Sequence, residues 1–230
     1  MKRIIAIGGG EIKSKTTLKI DEYIANLAKE HAQNKRANIL FIGTASYDAF
    51  PYFNSVRKTY TSVFDIKTEI ALLVQRPQPK EDIIKKLEEA DAIYIGGGNT
   101  EFMMRKWVES GIYPYIIEAY ERGVVIAGLS AGAICWFNKL YTDYEIMEKI
   151  SNDYTFINGF NILDGVVTPH YNIRTEFDNK FLELNMPFAY AIEDNSAIEF
   201  IDGKYSKSIS SGGKAYLLKN DNGRLIKEEL

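Results

Sequence analysis

Short apolar runs alternate with amphipathic segments along most of this chain. The apolar runs, which predict buried β-strands, cover residues 3–8, 38–43, 67–73, 92–96 and 124–129. Between them, Ile20, Ile24 and Leu27 share one helical face, and segment 81–90 places apolar residues between charged ones with the same period. Strands that alternate with helices are typical of an α/β fold, so we expect a mostly parallel central sheet flanked by helices.

Small residues follow four of the predicted strands. They form the sequences GGG at 8–10, GTAS at 43–46, GGGN at 96–99 and GLSAG at 128–132. In open parallel sheets, ligands bind at the carboxyl ends of the strands. The four turns are therefore expected to meet at one crevice, which is where we expect the functional site.

The pattern changes after about residue 185, where β-rich runs are separated by turn pairs. Asp202-Gly203 and Asn222-Gly223 suit tight hairpins, so segment 189–227 predicts a C-terminal β meander that extends or covers the sheet. Segment 138–164 is weakly periodic and rich in Tyr, Asp and Asn, which indicates either loops around a site or a solvated excursion. No linker or repeat interrupts the chain, and we expect one domain over residues 1–230.

Charge and hydropathy exclude two classes of partner. The chain has 28 Lys and Arg against 31 Asp and Glu, a net charge of −3, with no basic stripe suited to a phosphate backbone. Nucleic acid is therefore not an expected partner. The first apolar run is too short for a signal-peptide core, and no other run approaches a membrane-spanning length. These features predict a cytoplasmic protein with no membrane partner.

Few side chains are available for metal binding or disulfides. Cys135 is the single cysteine, and His31 and His170 are the two histidines, so a zinc site built from Cys and His is not expected. We predict no metal and no other cofactor. Cys135 lies among apolar neighbours in AICWF, where a buried small hydrophobe is the more frequent role. The oligomeric state stays open, because apolar residues serve cores and interfaces alike.

The sequence GLSAG at 128–132 fits the pattern G-x-S-x-G. In that pattern a strand turns sharply into a helix, and the serine at the bend exposes its hydroxyl as a nucleophile. Glycines flank the serine because a Cβ would collide across so tight a turn. The next amide, that of Ala131, could donate to a developing oxyanion. Ser130 is thus the candidate nucleophile, and a small-residue turn without chemistry is the alternative.

A serine nucleophile needs a base, for which histidine is the usual residue near neutral pH. His31 falls on the apolar face of the first predicted helix, which favours a structural role. His170 follows the strand-like run 165–168 and Pro169, which places it at the same kind of sheet edge as Ser130. We interpret His170 as the base; a histidine that only hydrogen-bonds its surroundings is the alternative.

The third member of such a site is a carboxylate that orients the imidazole. Asp143 and Glu145 lie 13 and 15 residues after Ser130, whereas Asp153 and Asp164 are nearer to His170 in sequence. We favour Asp143, a short carboxylate in a predicted loop, although an exposed loop acid is an alternative reading of each of these residues.

Three motifs in this order resemble the peptidase E group of serine peptidases, family S51, which includes cyanophycinase. They are GGGNT at 96–100, GLSAGA at 128–133 and PHY at 169–171. The resemblance extends over most of the chain and implies a fold like that of class I glutamine amidotransferases, with serine in place of the nucleophilic cysteine.

The resemblance also implies roles for individual residues. Ser130 would attack a small peptide to form an acyl-enzyme, His170 would be the general base, and Asp143 the acid, with Glu145 as the alternative. The amides of Gly97 and Gly98 would join that of Ala131 in the oxyanion hole.

The substrate implied by the resemblance is a small peptide, since peptidase E hydrolyses dipeptides with N-terminal aspartate. A cation for that aspartate is then needed, and arginine suits a carboxylate through its two-pronged geometry. Arg174, four residues after His170, is the nearest candidate. An exposed arginine that opens a helix over 175–184 is the alternative.

Two other functions compete with the peptidase. IAIGGGEIK follows a strand as a dinucleotide-binding turn does, yet Lys13 stands where that motif requires its third glycine. The turn is better interpreted as a wall of the crevice. A catalytically silent protein that binds a nucleotide or another small molecule on the same fold is the remaining alternative.

Overall fold

The computed structural model describes residues 1–33 and 35–230. The strands found in this part of the chain are β1 Arg3–Ile7, β2 Asn38–Ile42, β3 Lys67–Ala71, β4 Ala92–Ile95, β5 Val125–Leu129, β6 Phe137–Thr142, β7 Thr155–Asn158, β8 Leu163–Thr168, β9 Phe188–Ile192, β10 Ser196–Ile201, β11 Lys204–Ser210, β12 Ala215–Asp221 and β13 Arg224–Glu229. They form two sheets. The first has the order β11-β10-β1-β5-β4-β2-β3, and the second has the order β13-β12-β9-β8-β6-β7.

Helices cover both faces of the first sheet. The α-helices in the described residues are α1 Leu18–Ala32, α2 Phe50–Phe64, α3 Lys80–Glu89, α4 Thr100–Glu109, α5 Tyr113–Glu121, α6 Ala131–Ile134, α7 Tyr144–Met147 and α8 Phe177–Glu183. Side chains of α1 and α2 pack on one face, and those of α3, α4 and α5 pack on the other. No helix in the described part of the chain is both long and apolar enough to cross a bilayer.

Alternating side chains of the central strands supply both cores, because successive residues of a strand point to opposite faces. In β1, Ile5 and Ile7 belong to the core under α1 and α2, whereas Ile4 and Ala6 belong to the opposite core. The second sheet closes that opposite core from the side, where Phe137 of β6 packs edge-on against Phe200 of β10 at 5.4 Å between ring centroids. Burial on both faces explains why these strands appear as continuous apolar runs in the sequence.

The predicted α/β class is confirmed, with β1 to β5 parallel and in the predicted places. The predicted C-terminal meander is divided between the sheets, because β10 and β11 extend the first while β9, β12 and β13 form part of the second. Segment 138–164, for which loops were expected, contains the antiparallel pair β6 and β7. Strand β7 is a half-exposed edge strand, and its weak apolar pattern gave no strand signal.

A buried carboxylate couples the stability of this fold to pH. Asp21 of α1 is inaccessible to solvent and accepts hydrogen bonds from the hydroxyls of Thr17, at 2.8 Å, and Tyr60, at 3.0 Å. Burial disfavours the charged form and raises the pKa of Asp21 to about 6, although both hydrogen bonds act in the opposite direction. Above that pH the folded protein holds a desolvated charge.

We predict that Asp21 makes the unfolding free energy fall as pH rises from about 4 to about 6. In that window the folded state binds more protons than the unfolded state, so the loss is on the order of 3 kcal/mol. Urea denaturation of wild type and Asp21→Asn across this window measures it, with exposed Asp153→Asn as the control of matched chemistry. Parallel curves for wild type and Asp21→Asn would contradict the prediction.

Candidate active site

Ser130 lies at a sharp turn between β5 and α6. Its backbone has φ 50° and ψ −109°, a conformation that non-glycine residues rarely adopt. The turn is possible because Gly128 and Gly132, two residues before and two residues after the serine, have no side chain. A Cβ on Gly128 would lie 2.0 Å from the Gly132 carbonyl oxygen, and one on Gly132 would lie 2.4 Å from that of Ile95. The sequence pattern G-x-S-x-G thus has the strand-turn-helix context that its interpretation requires.

His170 follows β8 of the second sheet and faces Ser130. Its Nε2 atom lies 2.9 Å from the Ser130 Oγ atom, within hydrogen-bond distance. The residue has a positive φ of 51°, and its backbone N–H donates to the Gly8 carbonyl at 3.0 Å. The second sheet therefore brings the imidazole to the end of the first sheet, where the serine lies.

Asp194, in the loop between β9 and β10, lies on the other side of the imidazole. Its Oδ1 atom is 2.6 Å from His170 Nδ1. Asn172 hydrogen-bonds both the side chain and the backbone of Asp194. Its Nδ2 donates to Asp194 Oδ2 at 3.2 Å, and its Oδ1 accepts the Asp194 backbone N–H at 2.9 Å. Serine, histidine and aspartate side chains therefore form one hydrogen-bonded chain.

This arrangement corrects the expectation that Asp143 or Glu145 would orient the imidazole. Asp143 Oδ1 lies 3.6 Å from Arg174 Nη2, and Glu145 accepts from the Tyr144 hydroxyl at 3.0 Å. In the described residues neither carboxylate is hydrogen-bonded to His170. Both follow β6 of the second sheet, whereas Asp194 precedes β10, which is paired with β1 beside the serine.

The glycine turn after β1 anchors all three segments. The consecutive carbonyls of Ile7, Gly8 and Gly9 accept the backbone N–H groups of Ser130, His170 and Asn195 at 2.9, 3.0 and 3.0 Å. A Cβ on Gly9 would lie 1.9 Å from Asp194 Oδ1 and 2.4 Å from His170 Nδ1. The turn is packed against these residues rather than open for a phosphate, which disfavours the nucleotide-binding alternative.

A cavity of about 570 Å³ opens in front of Ser130 and His170. Gly97 and Gly98 form part of its wall, and a Cβ on Gly97 would lie 3.3 Å from Ser130 Cβ. Gly98 has a φ of +137°, and a Cβ there would lie 2.2 Å from the Ala45 carbonyl oxygen. The expected oxyanion residues Gly97, Gly98 and Ala131 thus surround the serine or follow it directly in sequence.

Arg174 is neither at the cavity nor on the surface, which corrects both readings of it. Only 3% of the residue is exposed, and its guanidinium lies 4.7 Å from the ring centroid of Tyr154 while it donates to the Tyr141 carbonyl. Burial lowers the pKa of Arg174, and the nearby Asp143 carboxylate opposes that shift. Among the described residues that line the cavity, Lys13 is the cationic side chain.

The other candidate side chains have structural surroundings. Cys135 is fully buried, and burial raises the pKa of its thiol well above the ordinary value, which favours the neutral thiol. His31 Nδ1 lies 3.0 Å from Asp91 Oδ1. Within residues 1–33 and 35–230, no three His, Cys, Asp or Glu side chains are grouped in a way that could hold a metal ion.

Comparison with known proteins gives the family context. The sequence model described as "Peptidase family S51" matches residues 4–208. The chain is 34% identical over 227 residues to "Uncharacterized peptidase YgaJ" of Bacillus subtilis (strain 168), a match that covers 94% of this chain and 91% of that protein. It is 29% identical over 157 residues to "Peptidase E" of Shewanella denitrificans, covering 66% of this chain and 60% of that protein.

Solved structures share the fold at low sequence identity. A peptidase from an acI-B1 actinobacterium has a TM-score of 0.73 at 17% identity and covers 100% of this chain and 97% of its own. A peptidase E protein from Listeria monocytogenes EGD-e has a TM-score of 0.60 at 20% identity, with coverage of 100% and 99%. At these identities the likeness concerns the fold.

We predict that Gly9→Ala breaks the contact between Asp194 and His170. The added methyl group would overlap the Asp194 Oδ1 and His170 Nδ1 atoms, so both side chains would have to leave their present positions. Proton NMR measures this as loss of the low-field resonance expected for the short Asp194–His170 hydrogen bond. Gly212→Ala is the control, because a Cβ there meets nothing within 4 Å. An unchanged resonance in Gly9→Ala would show that the turn does not set this geometry.

Proposed function

Since this chain belongs to peptidase family S51 and is a serine peptidase, we propose that it hydrolyses small peptides with Ser130, His170 and Asp194 as its catalytic triad. One observation carries the assignment of residues. The Ser130 hydroxyl, the His170 imidazole and the Asp194 carboxylate are joined by distances of 2.9 and 2.6 Å. This is the order of nucleophile, base and orienting acid that acyl transfer requires.

The hydrogen bonds define how the proton moves. An ionised carboxylate only accepts, so Asp194 accepts a hydrogen bond from the N–H at His170 Nδ1. The proton stays on Nδ1, and Nε2 is left as the acceptor that faces Ser130. His170 then takes the Ser130 proton as Oγ attacks the peptide carbonyl, and returns it to the amine that leaves as the C–N bond breaks. Water, activated by the same imidazole, releases the acyl group from Ser130.

The backbone amides of Ala131 and Gly98 donate to the oxyanion in this proposal, whereas the Gly97 N–H is hydrogen-bonded to the Tyr52 hydroxyl at 3.3 Å. Ala131 opens α6 directly after Ser130, and Gly97 and Gly98 form the facing wall of the cavity. Amide groups that are fixed before the reaction stabilise the developing charge without reorganisation. Gly97 keeps this wall open, because a side chain at that position would occupy the space beside the nucleophile.

The size of the cavity supports a short peptide as substrate. A volume of about 570 Å³ suits a ligand of a few residues. Relatives of this chain carry the name peptidase E, and that group's preference for N-terminal aspartate requires a cation beside the first residue. With Arg174 buried behind Asp143, we assign this role to Lys13, whose side chain lines the cavity.

We expect Ser130→Ala to lower kcat for dipeptide hydrolysis by a factor on the order of 10⁴ to 10⁶, since the nucleophile is removed. Asp194→Asn should lower kcat by about 10⁴, because an amide no longer fixes the imidazole tautomer. Turnover of a dipeptide panel by the purified variants measures both.

Two further variants separate Asp194 from the acids that the sequence suggested. Asp143→Asn should lose far less activity than Asp194→Asn, and Glu145→Gln should retain wild-type kcat. A larger loss in Asp143→Asn than in Asp194→Asn would assign the acid to Asp143. An inactive wild type across the panel, or a Ser130→Ala variant as active as wild type, would refute the proposed function.

We expect Lys13→Gln to lower kcat/KM for Asp-Ala about tenfold while leaving Ala-Ala unchanged, because one charge-assisted contact is lost. Steady-state kinetics on the two dipeptides measures the ratio. Lys15→Gln is the matched control, since Lys15 is an exposed lysine of the same segment and lies outside the lining of this cavity. Equal losses on both dipeptides would remove Lys13 from substrate selection.

A further inference from the structure

Tyr52 lines the cavity that contains Ser130. Tyr52 belongs to the first turn of α2, and its hydroxyl oxygen accepts the backbone N–H of Gly97 at 3.3 Å. Gly97 in turn lies against the nucleophile, where its missing Cβ would be 3.3 Å from Ser130 Cβ. One glycine residue therefore separates the phenol from the serine.

Packing fixes the Tyr52 ring in this place. Phe41 of β2 contacts the ring edge-on, with 5.2 Å between centroids. Gly96, at the end of β4, leaves space for the ring, because a Cβ there would lie 2.8 Å from Tyr52 Cε1. The position of the hydroxyl is thus determined by two adjacent strands of the first sheet rather than by a mobile loop.

The hydroxyl retains an unused donor. A tyrosine hydroxyl can accept hydrogen bonds and donate one, and here the acceptor side is occupied by Gly97. Within residues 1–33 and 35–230, the Tyr52 hydroxyl donates to no other group. Burial raises the pKa of Tyr52 to about 12, so the phenol keeps its proton throughout the neutral pH range.

We propose that Tyr52 is a further catalytic residue, which donates its hydroxyl hydrogen bond to the oxyanion formed when Ser130 attacks the substrate carbonyl. The proposal rests on the proposed function. Tyr52 keeps its proton throughout, so it contributes charge stabilisation and no proton transfer. A hydroxyl that already accepts an N–H is polarised and donates more strongly. The Gly97 amide thus acts on the oxyanion through the Tyr52 hydroxyl.

Tyr52→Phe tests the donor while the ring that packs on Phe41 is retained. We expect kcat to fall about 10²-fold, the usual effect of removing one oxyanion donor, with a much smaller change in KM. Tyr94→Phe is the matched control, because Tyr94 belongs to the same aromatic cluster and its buried hydroxyl has no hydrogen-bond partner among the described residues. A kcat in Tyr52→Phe equal to or above wild type would overturn the proposal, since the hydroxyl would then only occupy the Gly97 amide.

Site-specific replacement of Tyr52 by 3-fluorotyrosine separates donation from positioning. Fluorine makes the hydroxyl a stronger donor and a weaker acceptor with little change in shape. A hydroxyl that donates to the oxyanion gives a kcat equal to or above wild type. One that only holds the Gly97 amide in place gives a lower kcat, and that result would contradict the proposal.

The rate at which a fluorophosphonate labels Ser130 distinguishes failure of this proposal from failure of the proposed function. The phosphonyl oxygen occupies the position of the oxyanion, so labelling of Tyr52→Phe should be at least tenfold slower than that of wild type and Tyr94→Phe. If the wild type is labelled but cleaves no peptide, the peptidase assignment is refuted, and the labelling rates still test the role of Tyr52. Equal rates in all three proteins would overturn the role of Tyr52 alone, and a wild-type Ser130 that does not react would overturn both.

Discussion

Three consecutive backbone carbonyls at the end of β1 hold the candidate active site together. Ile7, Gly8 and Gly9 accept amides from the segments that carry Ser130, His170 and Asp194. β1 lies between β5 and β10, so the serine and the aspartate arrive from its two neighbours in the first sheet. The histidine arrives from β8 in the second sheet. These three hydrogen bonds fix the positions of side chains from two sheets relative to one another. This matters because catalytic geometry tolerates only small displacements.

The anchor also explains how two strained residues persist. Ser130 and His170 both have positive φ, at 50° and 51°, although neither is glycine. Each such conformation costs on the order of 1 kcal/mol and persists where the surroundings determine it. Here Ser130 donates its N–H to the Ile7 carbonyl of β1 and His170 donates to that of Gly8, the next residue, so leaving the strained conformation would break a hydrogen bond. The same bonds aim the two side chains at each other.

Local sequence signals predict the nucleophile and the parallel strands, because both depend on neighbouring residues. The turn at Ser130 needs Gly128 because a Cβ there would meet the Gly132 carbonyl four residues on, and β1 to β5 are apolar because both of their faces are buried. Asp194 has no such signal. Its position depends on β10 pairing antiparallel with β1, a contact between residues nearly 200 positions apart that local periodicity does not encode. Strand β7 was not predicted for a related reason. It is a half-exposed edge strand, so its residues show no alternation of buried and exposed positions.

The two charged residues that the sequence suggested for the site, Asp143 and Arg174, lie beside each other, with Asp143 at the cavity wall and Arg174 buried. A buried guanidinium is costly unless a counter-charge and hydrogen bonds compensate it. Arg174 obtains these from Asp143, the Tyr141 carbonyl and the ring of Tyr154. Once paired in this way, neither residue is free to orient an imidazole or receive a substrate carboxylate. In our proposal those tasks fall to Asp194 and Lys13. Asp194 lies in a segment without a functional signal of its own, whereas Lys13 follows the glycine turn that the sequence predicted to line the crevice.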